Sequence, residues 1–238
     1  NIINDNSYGY FDVTLDPLIE LWGFGYKNKK NHNIPSQKEI YDALLLVNQK
    51  ELFQISSVNN EFYKKNKDLK LNLSSIAKGY GIDQIGKKLE TLGLRNYLIN
   101  IGGDLLAKGN NKNKKNWIIG IENPNLKEKL VKEIINVSNK GIASSGDYKN
   151  FFVRNGKKFS HIINPKTGKP IAHKTKSVTV VSNNATNADG WATAFLAMGS
   201  EKGFKLAEEK SMSVLFIDEV NEKLIKIKST EFKKLVKE

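Results

Sequence analysis

SVTVVSNNATNADGWATAFLAMG, residues 177–199, joins two kinds of pattern in one stretch. The β-branched run Val178-Thr179-Val180-Val181 reads as a strand, and it leads straight into a helix that carries Asp189. A strand feeding a helix, in a chain where both kinds of segment are mixed, predicts an α+β fold. Within that helix Asp189 and Thr193 stand four residues apart and share a face. A hard cation such as Mg²⁺ takes oxygen ligands and completes its shell with water and phosphate, so the pair fits the protein half of a metal–phosphate site. A plainer reading stays open beside it: Asp189 caps or solvates the helix and Thr193 packs in it.

On the N-terminal side, residues 151–154 and 158–163 read as strands flanking Asn155-Gly156, a strong hairpin turn. Short apolar or alternating strands are expected at 97–101, 117–122 and 132–138, each bounded by Gly, Asn or Pro. A helix is expected over 75–92, stopped by Gly93, with a strand end at Leu71-Asn72-Leu73 turning into it. Pro35 introduces another helix, where Ser36 and Glu39 form a capping box and Ile40, Leu44, Val47 and Leu52 carry a helical stripe. Beyond residue 199, a helix near 203–210 and strands at 214–217 and 224–227 complete the pattern. There is no internal repeat and no clear linker, so residues 1–238 read as a single domain. The Lys/Asn run at 108–116 reads as a surface loop and the best candidate for a protease-sensitive hinge.

A chain of 238 residues can bury a substantial core. Its net charge of +13 is high, but the lysines fall in short polar clusters such as Lys27 to Lys30 and Lys112 to Lys115, without interleaved aromatics. Those are solvated loops, and no nucleic-acid motif accompanies them, so nucleic acid is not the expected ligand. The charge can still steer anionic ligands or hold the protein near an anionic surface. The absence of cysteine excludes disulfides, thiolate catalysis and Cys-ligated zinc. No apolar run approaches the ~20 residues of a membrane helix.

Small residues around Ser74-Ser75-Ile76-Ala77-Lys78-Gly79 mark a helix start where free N–H groups and the positive helix end attract anions, and Lys78 adds a point charge. The alternative is a lysine simply exposed on a first turn. His161, beside Asn164-Pro165 at the end of an expected strand, is either a general base or a satisfied structural residue. Gly102-Gly103-Asp104 and Ser144-Ser145-Gly146-Asp147 read as turns where backbone can approach a ligand. Two motif matches are decoys. Gly81 to Lys88 is near a P-loop but sits inside the helix, with Lys88 in place of Ser/Thr. Ser75-x-x-Lys78, Ser145-Gly146-Asp147 and Lys166-Thr167-Gly168 follow the order of serine penicillin-binding enzymes, yet Pro165 and Pro170 fence the last triplet into a turn and the middle one lacks its Asn.

Seven segments in order across nearly the whole chain resemble the ApbE-type FAD:protein FMN transferases: YFDVTLDPLIELWGFG, LNLSSIAKGYGID, LINIGGDLLAKG, WIIGIENP, ASSGDYKNFF, FSHIINPKTGKPI and SVTVVSNNATNADGWATAFLAMG. The resemblance implies the α+β flavin transferase fold and an enzyme that cleaves the FAD pyrophosphate with Mg²⁺. The FMN half goes to a threonine of an acceptor flavoprotein subunit of a membrane redox complex, and AMP is released. By the same resemblance, Asp189 and Thr193 bind the metal with a main-chain oxygen of Ser75, and Lys78 contacts the phosphates. Tyr10, Phe11, Asp12 and Asn72 contact the rest of the nucleotide, Ile163 touches FAD through its backbone, and His161 is the base.

Two departures stand out. Position 72 is Asn where the family has Asp, keeping an acceptor but losing a charge. The family also has an N-terminal portion ahead of the YFDVT-like segment, which this sequence lacks. Members are commonly exported and lipid-anchored on the periplasmic or outer face of the bacterial inner membrane, and the same is expected here, with the anchor upstream. Alternatives to transfer are hydrolysis of FAD to FMN and AMP, non-catalytic FAD binding, and remotely the penicillin-binding chemistry at Ser75.

Overall fold

The computed structural model describes residues 1–26, 33–56, 58–59, 61–122, 124, 131–148 and 150–236; the Lys27 to Lys30 cluster lies outside them. The helices are α1 Ile2–Asn6, α2 Asp16–Leu21, α3 Gln37–Leu44, α4 Gln49–Leu52, α5 Ala77–Thr91, α6 Ala185–Met198, α7 Ser200–Glu209 and α8 Thr230–Lys233. The strands are β1 Phe53–Ser56, β2 Glu61–Lys64, β3 Tyr97–Ile101, β4 Asp104–Lys108, β5 Trp117–Glu122, β6 Val131–Val137 and β7 Lys140–Gly146. They continue with β8 Phe151–Arg154, β9 Lys157–Ser160, β10 Ile163–Asn164, β11 Lys169–Pro170, β12 Thr175–Ser182, β13 Ser213–Val220 and β14 Lys223–Lys228. This is the mixed α+β architecture that the sequence predicts. The chain divides into two compact units, each discontinuous: Asn1–Leu73 with Lys149–Ala172, and Ser74–Tyr148 with His173–Glu238.

The second unit is built on a six-stranded antiparallel sheet in the order β14-β13-β12-β7-β4-β3. Side chains alternate between its faces with period two. Leu105, Ile142, Val181, Leu215 and Ile217 pack with Ile119, Ile121, Ile135 and Val137 of the β5–β6 hairpin and with Phe232 of α8. Residues of the other parity face helices: Leu106 meets Ile82 of α5 and Ala185 of α6, and Phe216 meets Phe195 of α6 edge-on. α6 is buried almost all round, which is why its sequence is rich in Ala and carries no charged residue other than Asp189. Each fully buried side chain of the size of Phe195, Leu196 or Phe216 contributes about 2–3 kcal/mol of transfer free energy.

The β12–α6 join explains the approach of the two layers. Asn184 caps α6 by accepting the Asn187 N–H at 2.7 Å. Gly141 of β7 lies against the Asn184–Ala185 backbone, where a Cβ would sit 2.2 Å from the Asn184 carbonyl carbon.

The first unit gathers Leu18, Trp22, Ile40, Val47, Phe152, Phe159 and Ile163 into its core. Stacked rings Trp22, Phe159 and Phe152 run through it, and Trp22 donates its indole N–H to the Gly168 carbonyl at 2.8 Å. The Ser36/Glu39 capping box forms as expected.

Several segments differ from the sequence reading. The stripe from Ile40 to Leu52 is not one helix: α3 ends at Leu44, and a new turn starts at Gln49. Thr14 Oγ1 accepts the Asn48 N–H and Asp12 Oδ2 accepts the Gln49 N–H, both at 3.0 Å, so side chains from elsewhere take the N–H groups a continuous helix would use. Leu71 to Leu73 is not a strand end; its Asn72 N–H donates to the Val13 carbonyl. Ser144 to Gly146 belong to β7, and Asp104 opens β4 after a turn at Gly102 and Gly103, both at positive φ. The strand drawn through 158–163 breaks after Ser160, whose hydroxyl accepts the Ile162 N–H.

Candidate functional site

In the second unit, Ser75 lies in the turn that enters α5, Lys78 and Gly79 lie in its first turn, and Asp189 and Thr193 sit one turn apart on α6. The Gly79 N–H, one of the four that a helix start leaves without an intrahelical acceptor, is donated to Asp189 Oδ2 at 2.9 Å. This works because α5 and α6 touch at Gly79. A Cβ there would come within 2.3 Å of the Ala185 carbonyl oxygen and 2.8 Å of the Asp189 Cβ.

Asp189 is 4% exposed. Burial pushes its carboxyl up to about 6; the Gly79 hydrogen bond and the Lys78 charge act against the shift, and Asp104 adds to it. Because the folded-state value lies above the ordinary 3.8, the proton is held more tightly in the folded protein. The corresponding stability is fully present below about pH 4 and is lost as pH rises through about 6. Denaturant midpoints measured in EDTA from pH 4 to 7 are therefore expected to fall for the wild type relative to Asp189→Asn, and parallel curves would show that Asp189 is not the titrating group.

Asp104, 1% exposed, receives the Lys78 ammonium at 2.5 Å and the Ser144 N–H at 3.4 Å. The Thr193 hydroxyl lies 3.2 Å from the Ser145 hydroxyl. Asp83 on α5 accepts the Ala185 and Thr186 N–H groups at 2.9 Å each and also the Thr186 hydroxyl, fastening α6 by its positive end. Asp83→Ala is expected to cost about 2 kcal/mol, read as a lower denaturant midpoint.

An oxygen donor set of this kind suits a hard cation: a buried carboxylate, a hydroxyl one turn on, and the backbone of the turn before α5. The buried acid is the test within this structure, since a cation beside it would offset the burial that makes its charged form costly. Among the described residues no group of three or more His, Asp or Glu side chains is gathered to hold a metal, so any cation here leans on hydroxyl, main-chain and ligand oxygens.

The remaining expected site residues lie in the first unit. Phe11 is buried, with its N–H on Ser7 Oγ and its carbonyl accepting from Asn4. The Asp12 carboxylate is engaged by Thr14 and the Gln49 N–H, and Tyr10 precedes them, half-buried. Asn72 is brought to the same place through Val13 and through Asp16 at 3.4 Å. Ile163 is buried in β10 opposite Pro170, which has no N–H to offer it.

The His161 Nδ1 is 2.9 Å from the Asn150 carbonyl. A carbonyl only accepts, so Nδ1 carries the proton and Nε2 holds the lone pair in the neutral ring. Asp83 escaped the sequence reading, while Asp104 and Ser145 entered it only as turn residues and Gly79 only as part of a helix start. For Asp104 the signal was present, a carboxylate opening the apolar run Leu105-Leu106-Ala107. Both decoys fall: Gly81 to Lys88 lie within α5, and Lys166-Thr167-Gly168 form the turn between β10 and β11.

The family model described as the ApbE family matches residues 2–216. A curated FAD:protein FMN transferase of Buchnera aphidicola from Schizaphis graminum is 40% identical over 220 residues, 92% of this chain and 64% of that protein. The FAD:protein FMN transferase of Haemophilus influenzae is 38% identical, covering 98% of this chain and 68% of its own length. The chain thus spans about two thirds of the length of these relatives. Among solved structures, the flavin transferase ApbE of Vibrio cholerae superposes with a TM-score of 0.85 at 36% identity, over 98% of this chain and 73% of that one. The apo flavinyl transferase ApbE of Pseudomonas stutzeri gives 0.87 at 34%, over 98% and 71%.

Proposed function

This chain belongs to the ApbE family, and on that premise we propose that it is a Mg²⁺-dependent FAD:protein FMN transferase. One observation carries the proposal: Asp189 is a buried acid pushed up to about 6, held by the Gly79 N–H with Thr193 one turn on, which is a place for a cation. Asp189, Thr193 and the Ser75 main chain would hold the ion. Bound there, Mg²⁺ would neutralise charge on the diphosphate oxygens.

Lys78 contributes a second positive charge toward the phosphates and is kept in place by Asp104. His161 takes the proton of an acceptor threonine at Nε2, the nitrogen that the Asn150 contact leaves with the lone pair. The threonine oxygen attacks the flavin-side phosphorus, the bridging P–O bond breaks, and AMP leaves with the electron pair of that bond. Tyr10, Phe11, Asp12, Asn72 and Ile163 belong to the nucleotide-binding segments. Acceptors are flavoprotein subunits of membrane redox complexes, met at the outer face of the bacterial inner membrane by a lipid-anchored enzyme.

Chromatography of FAD incubated with the protein tests the cleavage step. AMP is expected in Mg²⁺ and none in EDTA; intact FAD under both conditions, or AMP release that survives EDTA, would overturn the proposal.

A further inference from the structure

We infer that Ser145 is the positioning residue for Thr193, accepting the proton of its hydroxyl so that an Oγ1 lone pair is turned toward a divalent cation. The inference rests on the cation reading of Asp189 and Thr193 given above. A threonine hydroxyl has one hydrogen and two lone pairs. To serve as a neutral ligand it must present a lone pair, and its hydrogen, repelled by the ion, needs an acceptor on another side. Threonine in a helix ordinarily gives that hydrogen to a carbonyl one turn back. Here Ser145 Oγ stands 3.2 Å from Thr193 Oγ1, and either oxygen can be the donor, so a cation would select one direction of an existing bond.

The supporting element is rigid. Ser145 sits in β7 opposite Val178 of β12, an inner strand pair of the six-stranded sheet, on the face that the helices cover. The two side-chain ligands are thereby held by bonds of opposite polarity, as their chemistry requires. Asp189 accepts from the Gly79 N–H, while Thr193, with a cation on its lone pair, would give its proton to the Ser145 hydroxyl 3.2 Å away.

The neighbouring serine supplies an internal control. Ser144 points to the other face and pairs with Thr179 Oγ1 at 2.8 Å, so removing its hydroxyl costs the sheet a comparable bond without touching Thr193.

The experiment is Mn²⁺ binding to the metal-free protein by electron paramagnetic resonance, without nucleotide, alongside a thermal melt of each variant. Ser145→Ala is expected to weaken Mn²⁺ binding by about tenfold or more with its melt unchanged to within that of Ser144→Ala. Ser145→Thr, which keeps the hydroxyl, is expected to restore most of the affinity, and Ser144→Ala to leave it unchanged. Wild-type affinity in Ser145→Ala, or an equal loss in Ser144→Ala, would overturn the role of Ser145. Asp189→Ala separates this from the reading beneath it. Mn²⁺ binding that persists in Asp189→Ala, or is absent from the wild type, would overturn the cation site itself, whereas loss in Asp189→Ala with retention in Ser145→Ala rejects only the positioning role.

Discussion

Asp189→Ala is expected to lower Mg²⁺-dependent FAD cleavage by about a thousandfold while leaving the protein folded. The size follows from what the side chain does. It is the one carboxylate among the proposed ligands, and the others, Thr193 and the Ser75 main chain, are neutral oxygens that hold a divalent cation weakly without it. Fold retention follows from burial. Asp189 is charged at a cost, since burial pushes its carboxyl up to about 6, and the Gly79 N–H it accepts is among those a helix start commonly leaves to water or a ligand. Circular dichroism and a denaturant midpoint at or above the wild-type value, together with the lost cleavage, are the expected pair of results. Unchanged turnover in Mg²⁺ would remove Asp189 from the site, and a collapsed fold would make it a structural residue.

Gly79→Ala carries the second large effect, this time on packing. Alanine is ordinarily the better helix former by about 1 kcal/mol, so in an open helix the change would stabilise. At position 79 the added methyl would meet backbone: the Ala185 carbonyl oxygen at 2.3 Å, its carbon at 2.7 Å and the Asp189 Cβ at 2.8 Å. None of these is the free end of a flexible chain, so α5 and α6 must part. The expected net loss is about 3 kcal/mol, with separation of the Gly79 N–H from Asp189 and loss of metal affinity together. Gly81→Ala serves as the contrast, because nothing lies within 4 Å of its added methyl, and it is expected to be neutral or slightly stabilising. Equal stability of the two variants would show that the helices do not meet as described.

The contrast between those glycines also marks how far the sequence was legible. Elements with a strong local signature were plain: the β-branched run before α6, the long helix ending at Gly93, the capping box at Ser36 and the Asn155-Gly156 turn. The pairing of Asp189 with Thr193 was also readable, since it depends only on helical spacing. What stayed hidden depends on contacts distant along the chain. Asp104 and Ser145 read as turn residues because Gly neighbours dominate their local composition, yet the sheet makes them strand residues facing the helix layer. Gly79 reads as a helix position like Gly81 until the neighbouring helix is known. The break at Asn48 follows from Asp12 and Thr14, more than thirty residues earlier.

The most direct test of the central claim is the ratio of AMP released to flavin covalently bound. The protein is incubated with FAD, Mg²⁺ and an acceptor domain carrying the target threonine; AMP is measured by chromatography and bound flavin by the mass of the acceptor. One AMP per flavin attached, abolished by EDTA and by changing the acceptor threonine to alanine, is the result the account predicts. AMP accompanied by free FMN and an unmodified acceptor, or no AMP at all, would contradict it.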